Sequence, residues 1–271
     1  MLAKKYSTRS IRNYTQEMRF LFAHYVDVLP SSITSMDIVH YINFVVKEHG
    51  VGHEKCHQIA QSCSLFYKRI MPSALVNPSL FYTRKQFKLP QVFTQEQIEQ
   101  LLSVITNLKH RVIVSLFYGT GVRMNEMVQL KLTDIDSKAA QVKVKGKGNK
   151  ERFTILPKQL LPDMRAYYLE HKPLVYLFEG QKKGKPMHCR SIQHFMQQNI
   201  AKIGLGGKDY SAHTLRHSFA THLLDAGVDI HTIKELLGHS SITTTMIYLH
   251  LTQSKRASLV SPFDAMQKSK L

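Results

Sequence analysis

The C-terminal third of the chain concentrates side chains that can bind or transfer a phosphoryl group. They are His213, Arg216, His217, His222, His239 and Tyr248. His213 and Arg216 lie three residues apart at the expected start of a helix, so they share one helix face. Leu215, Phe219 and Leu223 mark a separate, apolar stripe on the same helix. Because the N-terminus of a helix favours anions, the pair is expected to bind a phosphate.

Two other interpretations of these histidines stay open. His213, His217 and His222 have nearly the spacing of zinc ligands, but the sequence has no HExxH motif and no acidic residue among the three. Alternatively, His222 and His217 are structural histidines, because only part of one helix face can meet a ligand.

Three segments resemble the tyrosine recombinase (phage integrase) family. The closing motif of that family is H-x-x-R, then L-G-H, then a nucleophilic tyrosine, and it is matched by HTLRHSFATHLLDAGVDIHTIKELLGHSSITTTMIYLHL. Upstream, YGTGVRMNEMVQLKLTDID resembles the segment with the first catalytic arginine, and KGKGNKERFTIL resembles the hairpin with the catalytic lysine. The resemblance is close over about residues 92–263, whereas residues 1–85 share only the helical character of the family's core-binding domain.

The resemblance implies six catalytic residues and one supporting residue. These are Arg123, Lys147, His213, Arg216, His239 and Tyr248, supported by Glu126. Tyr248 is implied to be the nucleophile, Lys147 the general acid, and Glu126 a residue that orients the site. Asn125 stands where the family often has Ser or Gly, which is expected to matter little. No cofactor and no metal ion are expected for this chemistry.

Elementary chemistry agrees with these roles. Exchange of a DNA phosphodiester without hydrolysis needs a nucleophile that keeps the bond as a phosphoester, and tyrosine can do so. Phosphoryl transfer also needs stabilised charge on the non-bridging oxygens, and the planar forks of Arg123 and Arg216 suit those oxygens. His239 can donate to the same phosphate, and His213 is left open as acid, base or orienting group.

Four lysines compete for the role of general acid. Lys143 and Lys145 continue a strand alternation and are expected to point away from the face of Val142 and Val144. Most lysines in such a run, Lys150 among the candidates, are solvated or touch phosphates, but Lys147 stands between two glycines, where a turn can approach a DNA backbone closely. The hypothesis therefore assigns proton donation to Lys147.

The frame for these residues is predicted to be mostly α-helical, with a small antiparallel β-sheet in the catalytic domain. Apolar periodicity predicts three helices within residues 8–72, a helix capped by Thr94 and Gln97, and a helix running into the turn at 119–121. Later helices are predicted over 158–170, 190–203, 213–226, 229–237 and 241–249. Alternation predicts a hairpin through Val142, Val144, Phe153 and Ile155, and a short strand over 174–178.

The length of 271 residues suits one large domain or two smaller ones, and the resemblance implies two domains that close around DNA as a clamp. We expect a helical core-binding domain over 1–85, a basic linker over 86–91, and a catalytic domain with a C-terminal tail over 92–271. The 271 residues carry a net charge of +18 and a pI near 9.8, which favours a polyanionic partner, here double-stranded DNA. Three cysteines without a CxxC pair, no secretory signal and no apolar run of roughly 18 residues indicate a cytoplasmic protein without a membrane partner.

The functional hypothesis is a site-specific DNA recombinase of the compact Xer-like or Cre-like kind. It would cut and rejoin duplex DNA through a 3′-phosphotyrosine and a Holliday junction, as a homotetramer on paired sites. One rival is a type IB topoisomerase-like nicking and closing enzyme that acts as a monomer. Another is a non-catalytic DNA-binding regulator on the same fold. The sequence leaves open the target site and the choice between integration, excision, inversion and dimer resolution.

Overall fold

The computed structural model describes residues 6–73, 75–81, 89–146, 150–207 and 209–251. The chain divides into two compact units, Met1–Lys88 and Leu89–Leu271. The predicted mostly helical fold with a small antiparallel sheet is confirmed. The predicted linker 86–91 lies partly outside the described residues, and so does most of the C-terminal tail. No helix of the described part combines the length and apolarity that a membrane span needs.

The described residues of the first unit form three α-helices around one apolar core. They are α1 (Thr8–His24), α2 (Ser35–His49) and α3 (His53–Arg69), so the prediction of three helices here is confirmed. A capping box starts α2, in which Thr34 and Asp37 each bind the other's backbone N–H, and Gly50 ends it in the left-handed conformation. The core is filled by residues such as Leu21, Ile38 and Ile59, which are fully buried.

The second unit holds the remaining helices. They are α4 (Gln95–Ser103), α5 (Leu108–Thr120), α6 (Met124–Gln129), α7 (Leu161–His171), α8 (Cys189–Lys202), α9 (Ala212–Asp225), α10 (Ile230–Leu237) and α11 (Thr243–Met246). The predicted capping pair of Thr94 and Gln97 is confirmed at the start of α4. The helix predicted over 241–249 is shorter than expected, because α11 passes at Ile247 into a 3-10 turn that ends at His250.

The sheet has the antiparallel order β1-β2-β3, formed by Ile135–Asp136, Gln141–Lys145 and Glu151–Ile155. The predicted hairpin is confirmed, and Val142 and Val144 are buried while Lys143 and Lys145 point away to pair with Glu151.

Strand β3 turns its polar side chains inward and its apolar ones to solvent. Phe153 and Ile155 are exposed, whereas Arg152 and Thr154 face inward. The register explains this, because it places Arg152 opposite Val144, and both inward side chains have hydrogen-bond partners there.

The strand predicted over 174–178 is wrong. This segment makes only an isolated bridge between Tyr176 and Lys131. The Glu179 Oε1 atom accepts hydrogen bonds from the backbone N–H groups of Leu174, Val175 and Tyr176, at 3.0, 2.8 and 3.3 Å. A carboxylate that collects three successive donors bends the chain into a turn, so the apolar run does not form a ladder.

Candidate active site

Three arginines meet at the C-terminal end of helix α10. The carbonyl oxygen of Leu236 accepts from Arg152 Nε at 2.9 Å, and that of Leu237 accepts from Arg216 Nη2 at 2.7 Å. The carbonyl of Gly238 lies 3.5 Å from Arg123 Nη2. The last carbonyls of a helix lack partners within the helix and carry partial negative charge, so they attract cations. The end of α10 therefore gathers guanidinium groups from three different elements.

Gly238 makes this arrangement possible. It ends α10 with a φ of +63°, in the left-handed region that favours glycine. A Cβ at this position would lie 2.6 Å from Arg152 Cδ, so a side chain would displace that arginine. The Leu-Gly-His segment thus supplies carbonyl acceptors, allows the close approach, and then presents His239.

Glu126 holds two of the arginines in place. Its carboxylate accepts from Arg152 Nη1 and Nη2 at 2.9 and 2.8 Å, a bidentate pair, and from Arg123 Nη1 at 2.9 Å. It also accepts from the backbone N–H of Arg123 at 2.8 Å, which caps helix α6. Burial would raise the pKa of Glu126, but the hydrogen bonds from Arg152 and Arg123 outweigh it and lower the pKa to about 2. The group is therefore a carboxylate at neutral pH.

Arg123, Arg152, Arg216 and Glu126 form one cluster, in which Arg216 is the most deeply buried arginine. It is 3% exposed on helix α9 and donates to the carbonyl oxygens of Gly121 and Leu237. Gly121 lies at the turn between α5 and α6 with a φ of +61°, and a Cβ there would meet Phe219 at 2.4 Å. The Gly-Thr-Gly turn thus brings an acceptor to Arg216 and starts the helix that Arg123 caps.

His239 lies against Arg216. Its Nε2 atom is 3.1 Å from Arg216 Nη2, and its Nδ1 atom is 3.0 Å from the Thr245 hydroxyl. Burial first, and then the charges of Arg216 and Arg123, lower the pKa of His239 to about 4, so the ring is neutral at pH 7. A guanidinium only donates, so Nε2 accepts in this state and Nδ1 carries the proton. The hydroxyl of Thr245 accepts from Nδ1 in this state. Because it can also donate, it can equally support the other tautomer, in which Nε2 carries the proton and can donate to a phosphate oxygen.

Tyr248 is buried beside this cluster. It is 1% exposed, in the 3-10 turn after α11, and packs with Phe219, Ile233 and Leu237. Its hydroxyl lies 3.0 Å from Nδ1 of His217. Burial raises the pKa of Tyr248, and the charges of Arg216 and Arg123 oppose that rise. The hydroxyl is therefore protonated at neutral pH and lies within the field of the arginines.

The remaining predicted residues lie at the edge of the site or outside the described chain. His213 is exposed in the first turn of α9, where partial desolvation and then Arg216 and Arg123 lower its pKa. Lys147 lies outside the described residues. Its neighbour Gly146, the last described residue before it, lies beside the carboxylate of Glu126, since a Cβ on Gly146 would lie 3.8 Å from Glu126 Oε1.

The cluster has more positive than negative charge. Among the described residues in it, the guanidinium groups of Arg123, Arg152 and Arg216 surround the single carboxylate of Glu126. Burial, followed by the charges of Arg123 and Arg152, lowers the pKa of Arg216 to about 9. An anion between the guanidinium groups would relieve this repulsion, and the forked donors suit phosphate oxygens.

The other histidines separate into two kinds of contact. His222 pairs through Nδ1 with the Tyr118 hydroxyl at 2.9 Å, away from the arginines, as expected of a structural histidine. His217 instead contacts the hydroxyl of Tyr248. Among the described residues no group of three or more His, Cys, Asp or Glu side chains could hold a metal ion.

Sequence reasoning also missed Arg152 and Thr245. Arg152 follows the glycine-rich turn and lies on the inward face of β3, so its register with Val144 was the available signal. Thr245 is fully buried three residues before Tyr248, which no pattern in the sequence distinguishes from its neighbours Thr243 and Thr244.

Comparison with known proteins identifies the family. Residues 91–255 match the phage integrase family. The tyrosine recombinase XerC of Leptospira interrogans is 30% identical over 274 residues, covering 94% of this chain and 86% of that protein. The crystal structure of XerA recombinase is similar with a TM-score of 0.58 and 26% identity, over 96% of each chain. The XerH site-specific recombinase bound to its difH substrate has a TM-score of 0.72 and 22% identity, over 92% of this chain and 79% of XerH.

The fold and the matched segments define a protein of the class that rearranges DNA strands. The chain belongs to the phage integrase family. It is a tyrosine-type site-specific DNA recombinase.

Proposed function

We propose that Tyr248 is the nucleophile of this recombinase and that Arg123, Arg216 and His239 bind the scissile phosphate. The observation that carries the proposal is the convergence of three guanidinium groups, opposed by one described carboxylate, with the charges of two of them, Arg216 and Arg123, acting on a buried tyrosine. Glu126 is a carboxylate without a donor, and Arg152 is bonded through Nε, Nη1 and Nη2 to Leu236 and Glu126, so we propose that these two residues position Arg123. His213, at the exposed rim, is left as an orienting or proton-transferring group.

The reaction conserves the bond energy of the phosphodiester. The Tyr248 oxygen attacks phosphorus and loses its proton, a 3′-phosphotyrosine forms, and the bond to the 5′-oxygen breaks. Lys147 gives the leaving oxygen its proton. Rejoining reverses these steps with a 5′-hydroxyl from the partner strand, and two rounds pass through a Holliday junction. The arginines stabilise the charge that develops on the non-bridging oxygens.

The partner we propose is double-stranded DNA, bound by both units of the chain. The net charge of +18 supports this, as does the structure of the similar XerH recombinase bound to its difH substrate. Recombination joins two duplexes and exchanges strands in pairs, so we propose a homotetramer on paired sites. We further propose that the protein acts in the bacterial cytoplasm at the nucleoid, consistent with its bacterial relatives and its free cysteines.

Covalent trapping tests the nucleophile. A duplex carrying the preferred site, obtained by selection from random DNA, is nicked so that the short fragment carrying the new 5′-hydroxyl diffuses away after cleavage. The wild-type protein should give an adduct that survives denaturation, and Tyr248→Phe should bind the same DNA and give none. Tyr118→Phe is the matched control, because Tyr118 also pairs with a histidine of α9. An adduct of normal yield in Tyr248→Phe would remove Tyr248 from the mechanism.

Assembly is tested separately. The wild-type protein should form a complex of four chains with two duplex sites. Deletion of residues 259–271 should weaken this pairing and spare binding to one site, if the tail docks on a neighbouring protomer. A monomer that relaxes supercoiled DNA without pairing sites would instead support the topoisomerase-like alternative.

A further inference from the structure

The hydroxyl of Tyr248 has a described partner that the proposed site does not use. It lies 3.0 Å from Nδ1 of His217, and the two rings are 5.7 Å apart at 51°. We propose that His217 is the proton acceptor for Tyr248 in strand cleavage and returns the proton in rejoining. This inference rests on the proposed role of Tyr248 as the nucleophile.

The geometry favours His217 over His213. Direct transfer needs donor and acceptor within hydrogen-bond reach, about 2.6–3.2 Å. The pair of His217 and Tyr248 satisfies this in the folded protein, whereas His213 lies exposed one helical turn earlier. His217 also follows Arg216 directly, so the acceptor is fixed by the helix that carries the buried phosphate-binding arginine. Helix α9 thus carries both the arginine that binds the phosphate and the proposed base.

The protonation state of the His217 ring allows it to act as a base. Burial first, and then the nearby His213 and Arg216, lower the pKa of His217 to about 4, so the ring is neutral at pH 7 and one ring nitrogen has a lone pair. The charge of a bound phosphodiester opposes that of Arg216, and an anion nearby favours the imidazolium. His217 therefore gains basicity when the phosphate that Tyr248 attacks is in place.

The bonds and protons balance without another reactant. In cleavage the O–H bond of Tyr248 breaks, its proton passes to Nδ1 of His217, and the oxygen bonds to phosphorus as the 5′-oxygen leaves with a proton from Lys147. In rejoining the 5′-hydroxyl attacks the phosphotyrosine and returns its proton to Lys147. The tyrosine oxygen leaves and recovers its proton from His217. After both steps each residue has its starting proton.

Three variants of the full-length protein on the nicked duplex test this. His217→Ala removes the acceptor, and His217→Gln keeps an oxygen that accepts a hydrogen bond but takes no proton at neutral pH. Both should bind DNA normally and form adduct more slowly, by roughly the 10²–10⁴-fold typical of acid–base catalysis. His222→Ala is the matched control, because it removes the equivalent pair with Tyr118 and should cleave at the wild-type rate.

A change in the nucleophile separates proton transfer from structure. With 3,5-difluorotyrosine at position 248, the phenol is more acidic and needs a base less, so most of the His217→Ala defect should disappear. A defect equally deep with the fluorinated residue would mean a structural role and overturn the inference. Cleavage faster than wild type would mean that His217 restrains Tyr248, and wild-type rates in His217→Gln would mean a positioning hydrogen bond alone. Either result also overturns it.

Failure of the inference differs from failure of the proposed function. If Tyr248→Phe forms an adduct, the nucleophile is wrong and both proposals fall. If the adduct depends on Tyr248 while both His217 variants cleave normally, only the proton acceptor is wrong.

Discussion

Replacement of Glu126 by Gln tests the core of the arginine cluster. The substitution keeps the shape of the side chain and removes the charge that pairs with Arg152 and Arg123. It also places the N–H donors of the new amide opposite the N–H donors of the guanidinium groups, which cannot accept them. We expect lower stability of the second unit and slower adduct formation, because Arg123 loses the group that aims it.

The magnitude follows from the lowered pKa. The pKa of Glu126 falls from the usual 4.5 to about 2 on folding. With about 1.4 kcal/mol for each pKa unit, the charged form contributes about 3 kcal/mol to the free energy of unfolding at pH 7. Since the folded pKa is the lower one, this contribution is complete above pH 4.5 and is lost as the pH falls toward 2. The difference between wild type and Glu126→Gln should therefore shrink in acid.

Urea unfolding between pH 7 and pH 3 measures this difference. Glu151→Gln is the matched control, since Glu151 precedes Arg152 on the same strand but pairs with lysines in solvent. It should leave the unfolding midpoint nearly unchanged. A loss below about 1 kcal/mol for Glu126→Gln at pH 7, well under the 3–5 kcal/mol typical of a broken buried pair, would refute the reasoning. So would a difference that stays constant with pH.

Three further predictions address the chemistry and the frame of the site. Lys147→Ala should slow cleavage of normal DNA by roughly 10²–10⁴-fold. When sulfur replaces the 5′-bridging oxygen, Lys147→Ala should recover most of its rate, whereas Arg123→Ala should not. An equal defect on both substrates would mean that Lys147 is a binding residue. Cleavage should persist in excess EDTA, because no metal ion is expected in the reaction, and loss of activity that magnesium or zinc restores would contradict this. Gly238→Ala should destabilise the protein by more than the 1–2 kcal/mol of left-handed backbone strain, because its Cβ displaces Arg152. Gly50→Ala is the control, because Gly50 has a φ of +57° with open space around it and its variant therefore carries the backbone strain alone. If calorimetry shows the same loss of stability for both variants, the contact between the new Cβ and Arg152 has no cost.

Local sequence signals predicted many of the helices and strands that position the site. The capping box of Thr94 and Gln97 and the alternation of Val142 and Val144 act over a few residues, so the sequence alone indicates them. The helix bearing His213 and Arg216 was likewise predictable from its apolar stripe.

The remaining parts of the fold and the site depend on contacts between segments that are distant in the sequence. Glu179 bends residues 174–176 by binding their backbone, which the apolar run itself does not indicate. Arg152 points inward because Glu126 and the end of α10 accept its hydrogen bonds, so the apolar Phe153 and Ile155 of β3 face solvent. The partner of Tyr248 depends on how the 3-10 turn packs on α9, which no spacing along the chain reports.

Mapping of the protein–DNA adduct tests the central claim most directly. After trapping on the nicked duplex, nuclease and trypsin leave a nucleotide remnant on one peptide, which mass spectrometry identifies. The account predicts that the remnant lies on the peptide spanning residues 235–255, joined through the oxygen of Tyr248, the only tyrosine in that peptide. A remnant on another tyrosine, or on a serine or threonine of the same peptide, would contradict it.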